Sequence, residues 1–292
     1  MNRLKKFQIK SWDIEPDALL QEDIIQALEH GKAVLFPELA FDLANQEKKL
    51  LSPDKTHPKS KNISYDIRTD KLSGTQCSET EAFQLQEMLR RYALLTRQLV
   101  DKLYPRYSPY LFQARTSYRP VEIAGRKTSL LKDDTLLHVD SFPATPTKGN
   151  RILRIFTNIN PEGKSRVWRI GEPFSDVVQK MGPRLNNPWA ASSFLLKLFK
   201  ITKDYRTLYD HYMLQIHDNM KKDPGYQKDV PQEKILFPSG VTWMVYTDQV
   251  SHAAMAGQYV LEQTFHLPPA AMQYSETTPL AVLERYFKKK LA

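Results

Sequence analysis

The chain has 292 residues, of which 41% are hydrophobic, 11% aromatic and 26% charged; this balance excludes a disordered polymer and is enough for one large core. No apolar run reaches the roughly 18 residues that a membrane-spanning helix needs, and the basic start Met1–Trp12 lacks the apolar stretch of an export signal. The lone Cys77 can form no internal disulfide, so cytoplasm is expected, and the net charge of +9 points to a polyanionic partner: nucleic acid, anionic lipid or a negatively charged substrate. With no nucleic-acid motif and no basic segment interleaved with aromatics, nucleic acid is not expected.

In chain order, residues 19–30 carry apolar side chains at helical spacing and stop at Gly31, and Ala33–Pro37 reads as a short buried strand. Residues 52–64, dense in Pro, Lys and Ser, predict an exposed loop. Ser78-Glu-Thr-Glu resembles a helix start, and the apolar spacing through Val100 predicts a long scaffold helix to Leu103. Strands are expected at Tyr110–Tyr118, Leu136–Asp140, Arg151–Ile159 and Ser165–Gly171, with a further short one at Val121–Ile123. Residues 174–222 read as a helical insertion, with helical spacing at Phe194–Phe199 and at Leu208–Met220. Two late strands follow at Gly240–Thr247 and Gly257–Pro268, and a basic amphipathic helix at 279–292 ends the chain. The expected class is α+β: a double-stranded β-helix, or jelly-roll, with flanking scaffold helices, in one elaborated domain spanning 1–292.

The chemistry centres on Leu136–Pro143. His138 and Asp140 are two residues apart in a β-favouring run, and residues i and i+2 of a strand share a face. They supply two corners of a 2-His-1-carboxylate triad, which holds non-haem Fe(II) and leaves positions open. A His-x-Asp tripeptide alone is weak, because a histidine bonded to a turn carboxylate gives the same pattern. Of seven histidines, His252 is best placed as the third ligand, with His266 as the alternative. His57 lies in the polar loop. His211 and His217, six apart on a helix, do not share a face and read as surface or packing residues. A jelly roll brings an early and a late strand to one mouth, closing the 114 positions from His138 to His252.

Open positions on Fe(II) call for a chelating cosubstrate such as 2-oxoglutarate, and its far carboxylate calls for a buried cation, best an arginine. No Lys or Arg occurs from His252 to Glu284. Arg154, inside an otherwise apolar strand, is therefore the expected anchor, with Arg151 second; the competing reading pairs Arg154 with a carboxylate of the fold.

Four stretches, His138-Val-Asp-Ser-Phe-Pro-Ala-Thr-Pro-Thr, Arg151–Pro161, Arg166-Val-Trp-Arg-Ile-Gly-Glu-Pro-Phe and Thr247–Phe265, resemble the Kdo hydroxylase family, Fe(II)/2-oxoglutarate dioxygenases acting on 3-deoxy-D-manno-oct-2-ulosonic acid (Kdo) in the inner core of lipopolysaccharide. The resemblance covers most of the chain and is weakest in the insertion and at both ends. It implies that His138, Asp140 and His252 bind iron, and that O2 and 2-oxoglutarate are used to hydroxylate Kdo at carbon 3, giving Ko. A Kdo-lipid A substrate would account for the positive charge: Arg166, Arg169, Arg126 and Lys127 are candidates to bind the sugar acid. Lys288–Lys290 are candidates to touch the anionic inner face of the bacterial inner membrane. Trp168 and Trp243 read as core. Two other classes fit the same residues: a cupin-like metal enzyme that does not use 2-oxoglutarate, and a non-catalytic anionic-lipid-binding protein. No oligomeric state is legible.

Overall fold

The computed structural model describes residues 2–188 and 202–292. Its strands are β1 (Leu4–Lys6), β2 (Ala33–Phe36), β3 (Ile63–Asp66), β4 (Lys71–Ser73), β5 (Phe112–Arg119), β6 (Arg151–Asn158), β7 (Arg166–Ile170), β8 (Glu233–Phe237), β9 (Thr242–Tyr246), β10 (His252–Ala256) and β11 (Val260–Leu267). The helices are α1 (Ala18–Glu29), α2 (Asn45–Lys48), α3 (Glu79–Leu103), α4 (Phe174–Met181), α5 (Leu208–Lys222), α6 (Pro224–Asp229) and α7 (Pro279–Phe287), with short 3-10 turns between. An eight-stranded sheet in the order β1-β2-β9-β6-β11-β5-β3-β4 packs against a three-stranded sheet, β10-β7-β8. This is the expected mixed α and β architecture around a jelly-roll core.

Period-two alternation decides what each face of the large sheet touches. Phe156, Trp243 and Val245 point inward and meet Trp168, Ile170, Ile235 and Phe237 of the small sheet. Phe237 stacks on Trp243 with centroids 4.1 Å apart, and Trp168 meets Trp243 edge-on. Each such buried side chain contributes about 1.5–3 kcal/mol, so Trp168 and Trp243 are core residues, as expected. The opposite face presents Leu153, Ile155, Met244, Tyr246 and Phe265 to α1 and the end of α3. The first half of α3 covers Ile63, Tyr65, Tyr118 and Leu261. Ser78 caps α3 in a reciprocal box with Glu81, as the sequence predicts. A third apolar cluster joins α4, α5 and α7 around Leu137, Val139 and Ala253.

Several expectations need correction. Leu136–Asp140 is not a strand; the segment makes one isolated bridge, His138 to His252, and Asp140 N–H turns away to Thr247 O. Val121–Ile123 forms no strand. The insertion holds helices at α4 and α5, while the expected helical run Phe194–Phe199 lies outside the described residues. The last helix ends at Phe287, where Lys288 adopts a left-handed φ of 52°. Its apolar side does not face solvent: Leu283 and Leu291 are buried, and Leu280, Val282, Tyr286 and Phe287 pack on the third cluster. Strands β1, β3, β4, β8 and β10 are short and are not among the strands expected from sequence; Ile63, assigned to the exposed loop, is buried in β3. Among the described residues, no helix is long and apolar enough to cross a membrane.

Candidate metal centre

His252 opens β10, and its N–H and C=O both bond to the backbone of His138, at 2.9 and 3.0 Å. Bridged residues project to the same side of the ladder, and the two rings lie 4.7 Å apart. Asp140 N–H donates to Thr247 O at 2.7 Å, which sets the carboxylate beside the rings. One ligand atom from each of His138, Asp140 and His252 lies within 4.8 Å of the others. In each histidine Nδ1 sits close to the carbonyl two residues back: His138 to Leu136 O at 2.7 Å and His252 to Val250 O at 2.8 Å. With Nδ1–H donating there, each Nε2 is left as a lone-pair donor facing the site, the tautomer a metal requires.

The electrostatics agree. Burial pushes the His138 and His252 imidazolium pKa values down, His252 to about 4, so both rings are neutral near pH 7. Burial alone would raise the Asp140 carboxyl, but the Arg154 guanidinium and the His138 contact hold it well below the usual carboxylate range. Arg154 Nη2 lies 2.9 Å from Asp140 Oδ2, while Nη1 lies 3.1 Å from Glu262 Oε1. Oδ2 nevertheless has no aligned hydrogen bond, so a carboxylate oxygen is left in a buried site with only an ion pair beside it.

The triad lies in a cavity of about 150 Å³ between the sheets, walled by Phe156, Trp168, Arg119, Arg166, Lys61 and Asp134. Trp168 stacks against His252 with centroids 5.0 Å apart. Arg119 is neutralised by Glu262, 2.6 Å away, and Lys61 pairs with Asp134. Arg166 differs: its Nη1 donates to Gly257 O at 2.6 Å, its Nε has no partner, and no carboxylate pairs with it among the described residues. Burial, then the neighbouring Arg119 charge, push its pKa down to about 10. A nearly buried guanidinium without a counter-ion is costly unless a ligand supplies one.

The structure brings together His138, Asp140, His252, Arg154 and Arg166 among the residues singled out from sequence. It does not bring Arg151, which projects from the opposite face of β6, fully buried, with Nε 2.7 Å from Asp248 and its guanidinium over the Tyr246 ring. Three residues separate Arg151 from Arg154, and an odd spacing on a strand reverses the face. Arg169 likewise lies on the other face of β7 from Arg166 and Trp168, bonded to Thr135 O. Arg126 is half-buried near Lys61, and Lys127 is exposed. His266 lies on the inner face of β11 yet stands apart from the triad, its Nδ1 at Arg151 O. His217 is no bystander: its ring meets His138 edge-on at 5.4 Å. Sequence reading missed Lys61, Arg119, Asp134 and Glu262. Lys61 sat in the loop discounted as exposed, and the inward alternation of β5 and β11 was the one signal for Arg119 and Glu262.

The chain matches the family model for 3-deoxy-D-manno-oct-2-ulosonic acid (Kdo) hydroxylase over residues 11–290. Among solved structures it is similar to the Kdo hydroxylase KdoO, a non-haem Fe(II) alpha-ketoglutarate-dependent dioxygenase. With alpha-ketoglutarate and Fe(III) bound, that structure shares 48% identity and a TM-score of 0.96, covering 99% of this chain and 97% of that one. The cobalt(II) complex gives 49% identity, a TM-score of 0.97 and the same coverage, and a complex with succinate and Fe(III) gives 48% and 0.95. No curated protein matches. A two-histidine, one-carboxylate cluster at the mouth of a jelly roll and near-complete superposition on KdoO lead to one assignment: the chain belongs to the Kdo hydroxylase family.

Proposed function

We infer that this chain is an Fe(II)- and 2-oxoglutarate-dependent dioxygenase that hydroxylates Kdo, with O2 as co-reactant. The observation that carries the reading is the convergence of His138, Asp140 and His252 within one cavity of a family member. Both Nε2 lone pairs and the Asp140 carboxylate, whose Oδ1 lies 3.6 Å from His138 Nε2, fit a divalent cation. Fe(II) supplies, when bound, the centre at which O2 and 2-oxoglutarate are consumed to oxidise the sugar.

The protein's own residues hold and shape that centre. The paired backbone bonds between His138 and His252 fix both rings, and the carbonyls of Leu136 and Val250 fix their tautomers. Arg154, held between Asp140 and Glu262, orients the carboxylate ligand; with two acidic partners already, it has little charge left for a third. Arg166 is better suited to the far carboxylate of 2-oxoglutarate, being the lining cation that lacks an acidic partner among the described residues. The choice moves the anchor from Arg154 to Arg166, and both remain inside one cavity. Trp168 and Phe156 keep its floor apolar and restrict water.

The finer reading takes the acceptor as Kdo in a lipid A-linked inner core, oxidised at carbon 3 to Ko. In this reading Arg126 and Lys127 bind the sugar carboxylate, a role supported by the nearness of Arg126 to Lys61 at the cavity. The exposed Lys288, Lys289 and Lys290 give a transient electrostatic contact with the anionic inner face of the membrane. The test is anaerobic loading with Fe(II) and 2-oxoglutarate, then O2 and a Kdo glycoside. One succinate and one oxygenated sugar should form per CO2 released. Oxidation of the sugar without 2-oxoglutarate would mean the cupin-like chemistry instead.

A further inference from the structure

A second cleft, of about 350 Å³, opens on the inner face of the large sheet beyond the metal centre. Phe112 at the start of β5 pairs with His266 of β11, so their side chains share a face, and the rings are 6.3 Å apart. His266 lies four residues along β11 from Glu262, or about 13 Å. Phe142 links the two places: its ring is 6.1 Å from His266 and 5.8 Å from the Arg154 guanidinium, and two peptide bonds join it to Asp140.

Tyr110 and Phe112 stand 53% and 48% exposed in this cleft, a position that costs apolar surface and has no role in the core. The Arg68 guanidinium, paired with Asp66, covers Phe112 at 4.7 Å and holds the ring in place. Facing the rings are Thr145 and Asn150, whose side chains make no hydrogen bond among the described residues; nor does the Tyr110 hydroxyl. Apolar platforms with unused hydroxyl and amide groups suit a ligand with an apolar face and a hydroxylated edge. A sugar ring is that ligand. An acyl chain would leave these polar groups unpaired.

We propose that the cleft beside Tyr110 and Phe112 is a second carbohydrate subsite, holding a sugar of the acceptor's oligosaccharide remote from the ring that is oxidised. The inference rests on the reading of the acceptor as a Kdo glycolipid. The cleft selects for a longer glycan because His266 stands about 13 Å along β11 from Glu262 of the metal cavity, more than one sugar ring.

The test is calorimetric binding of an acyl-free inner-core oligosaccharide and of a simple Kdo glycoside to the metal-free protein, with Phe112→Ala, Tyr110→Ala and Thr145→Val. Phe112→Ala and Tyr110→Ala should each weaken oligosaccharide binding by about three- to tenfold, the range expected for one aromatic contact, Thr145→Val by about two- to tenfold for one lost hydrogen bond, and each should raise its KM in step. Binding of the simple glycoside should not change. Equal losses on both ligands, no loss on either, or a loss seen only with acylated acceptor would each overturn the proposal, the last in favour of an acyl chain. Failure of the activity assignment reads differently: the wild type would then hydroxylate no acceptor, while metal-free binding would still report on the cleft.

Discussion

At the scale of single residues, the proposed site separates into groups that would hold the metal and groups that would hold charge. His138→Ala, Asp140→Ala and His252→Ala should each abolish Fe(II) or Co(II) binding and activity without unfolding the protein, because two donors are too few to retain the ion. Metal titration followed by circular dichroism checks both halves; full metal affinity in His252→Ala would point to His217 or His266 as a ligand instead. The two arginines should part company. Losing one partner of a buried charge pair costs ~2–5 kcal/mol, so Arg166→Ala should raise the 2-oxoglutarate requirement by roughly 30-fold or more with metal binding intact. Arg154→Ala should weaken metal binding, since Asp140 loses the group that orients it. If the 2-oxoglutarate requirement rises in Arg154→Ala alone, Arg154 is the anchor.

At the scale of elements, the site depends on the turn at Gly257 and the fold on the seating of α7. Gly257 follows β10 with φ +106°, and a Cβ there would lie 2.9 Å from Arg166 Cα and 3.0 Å from Ser165 O. Its carbonyl also receives Arg166 Nη1. Gly257→Ala should cost about 1–3 kcal/mol of stability from the strained backbone, seen as a lower denaturation midpoint, and should raise the 2-oxoglutarate requirement by displacing Arg166. Helix α7 makes the converse case. Leu283 is fully buried against α4 and α5, so Leu283→Ala should cost about 2–5 kcal/mol, with activity lost on soluble and lipid-linked acceptors alike. A stability unchanged by that substitution would mean that the helix is free to leave the core.

For the whole molecule, the net charge of +9 lies mostly outside the cavity, where Lys61, Arg119, Arg154 and Arg166 are largely balanced by Asp134, Asp140 and Glu262. With its apolar side seated on the fold, the C-terminal segment keeps Arg285 and Lys288–Lys290 for a membrane, with Lys289 donating to Tyr212 Oη and Lys290 paired with Glu284. Each basic residue near an anionic surface contributes about 1 kcal/mol, screened by salt. Replacing Lys288, Lys289 and Lys290 by Glu should therefore reduce sedimentation with anionic vesicles, most clearly at low salt, and slow turnover of lipid-linked acceptor while sparing a soluble Kdo glycoside. Unchanged vesicle binding would remove these lysines from any membrane contact.

What the sequence determined by itself is local. The i, i+2 spacing of His138 and Asp140, the capped periodicity of α3 and the alternation of β6 and β11 depend on neighbours within a few residues, and all are legible in the chain. The pairing of His138 and Asp140 is legible from such a spacing even though their segment is no strand. Only the tertiary structure decided what lies opposite. Arg154 turned out to face Asp140 and Glu262, Arg166 to lack an acidic partner among the described residues, and Lys61 to reach the cavity from a stretch that composition marks as a loop. Hydrophobic spacing likewise drew the last helix correctly as amphipathic and left its apolar side without an address. The physical reason is the same in each case: a periodic pattern specifies which side of an element is apolar or charged, whereas the partner across the gap comes from parts of the chain far away in sequence, as with Thr242 Oγ1 donating to Leu39 O across 203 positions.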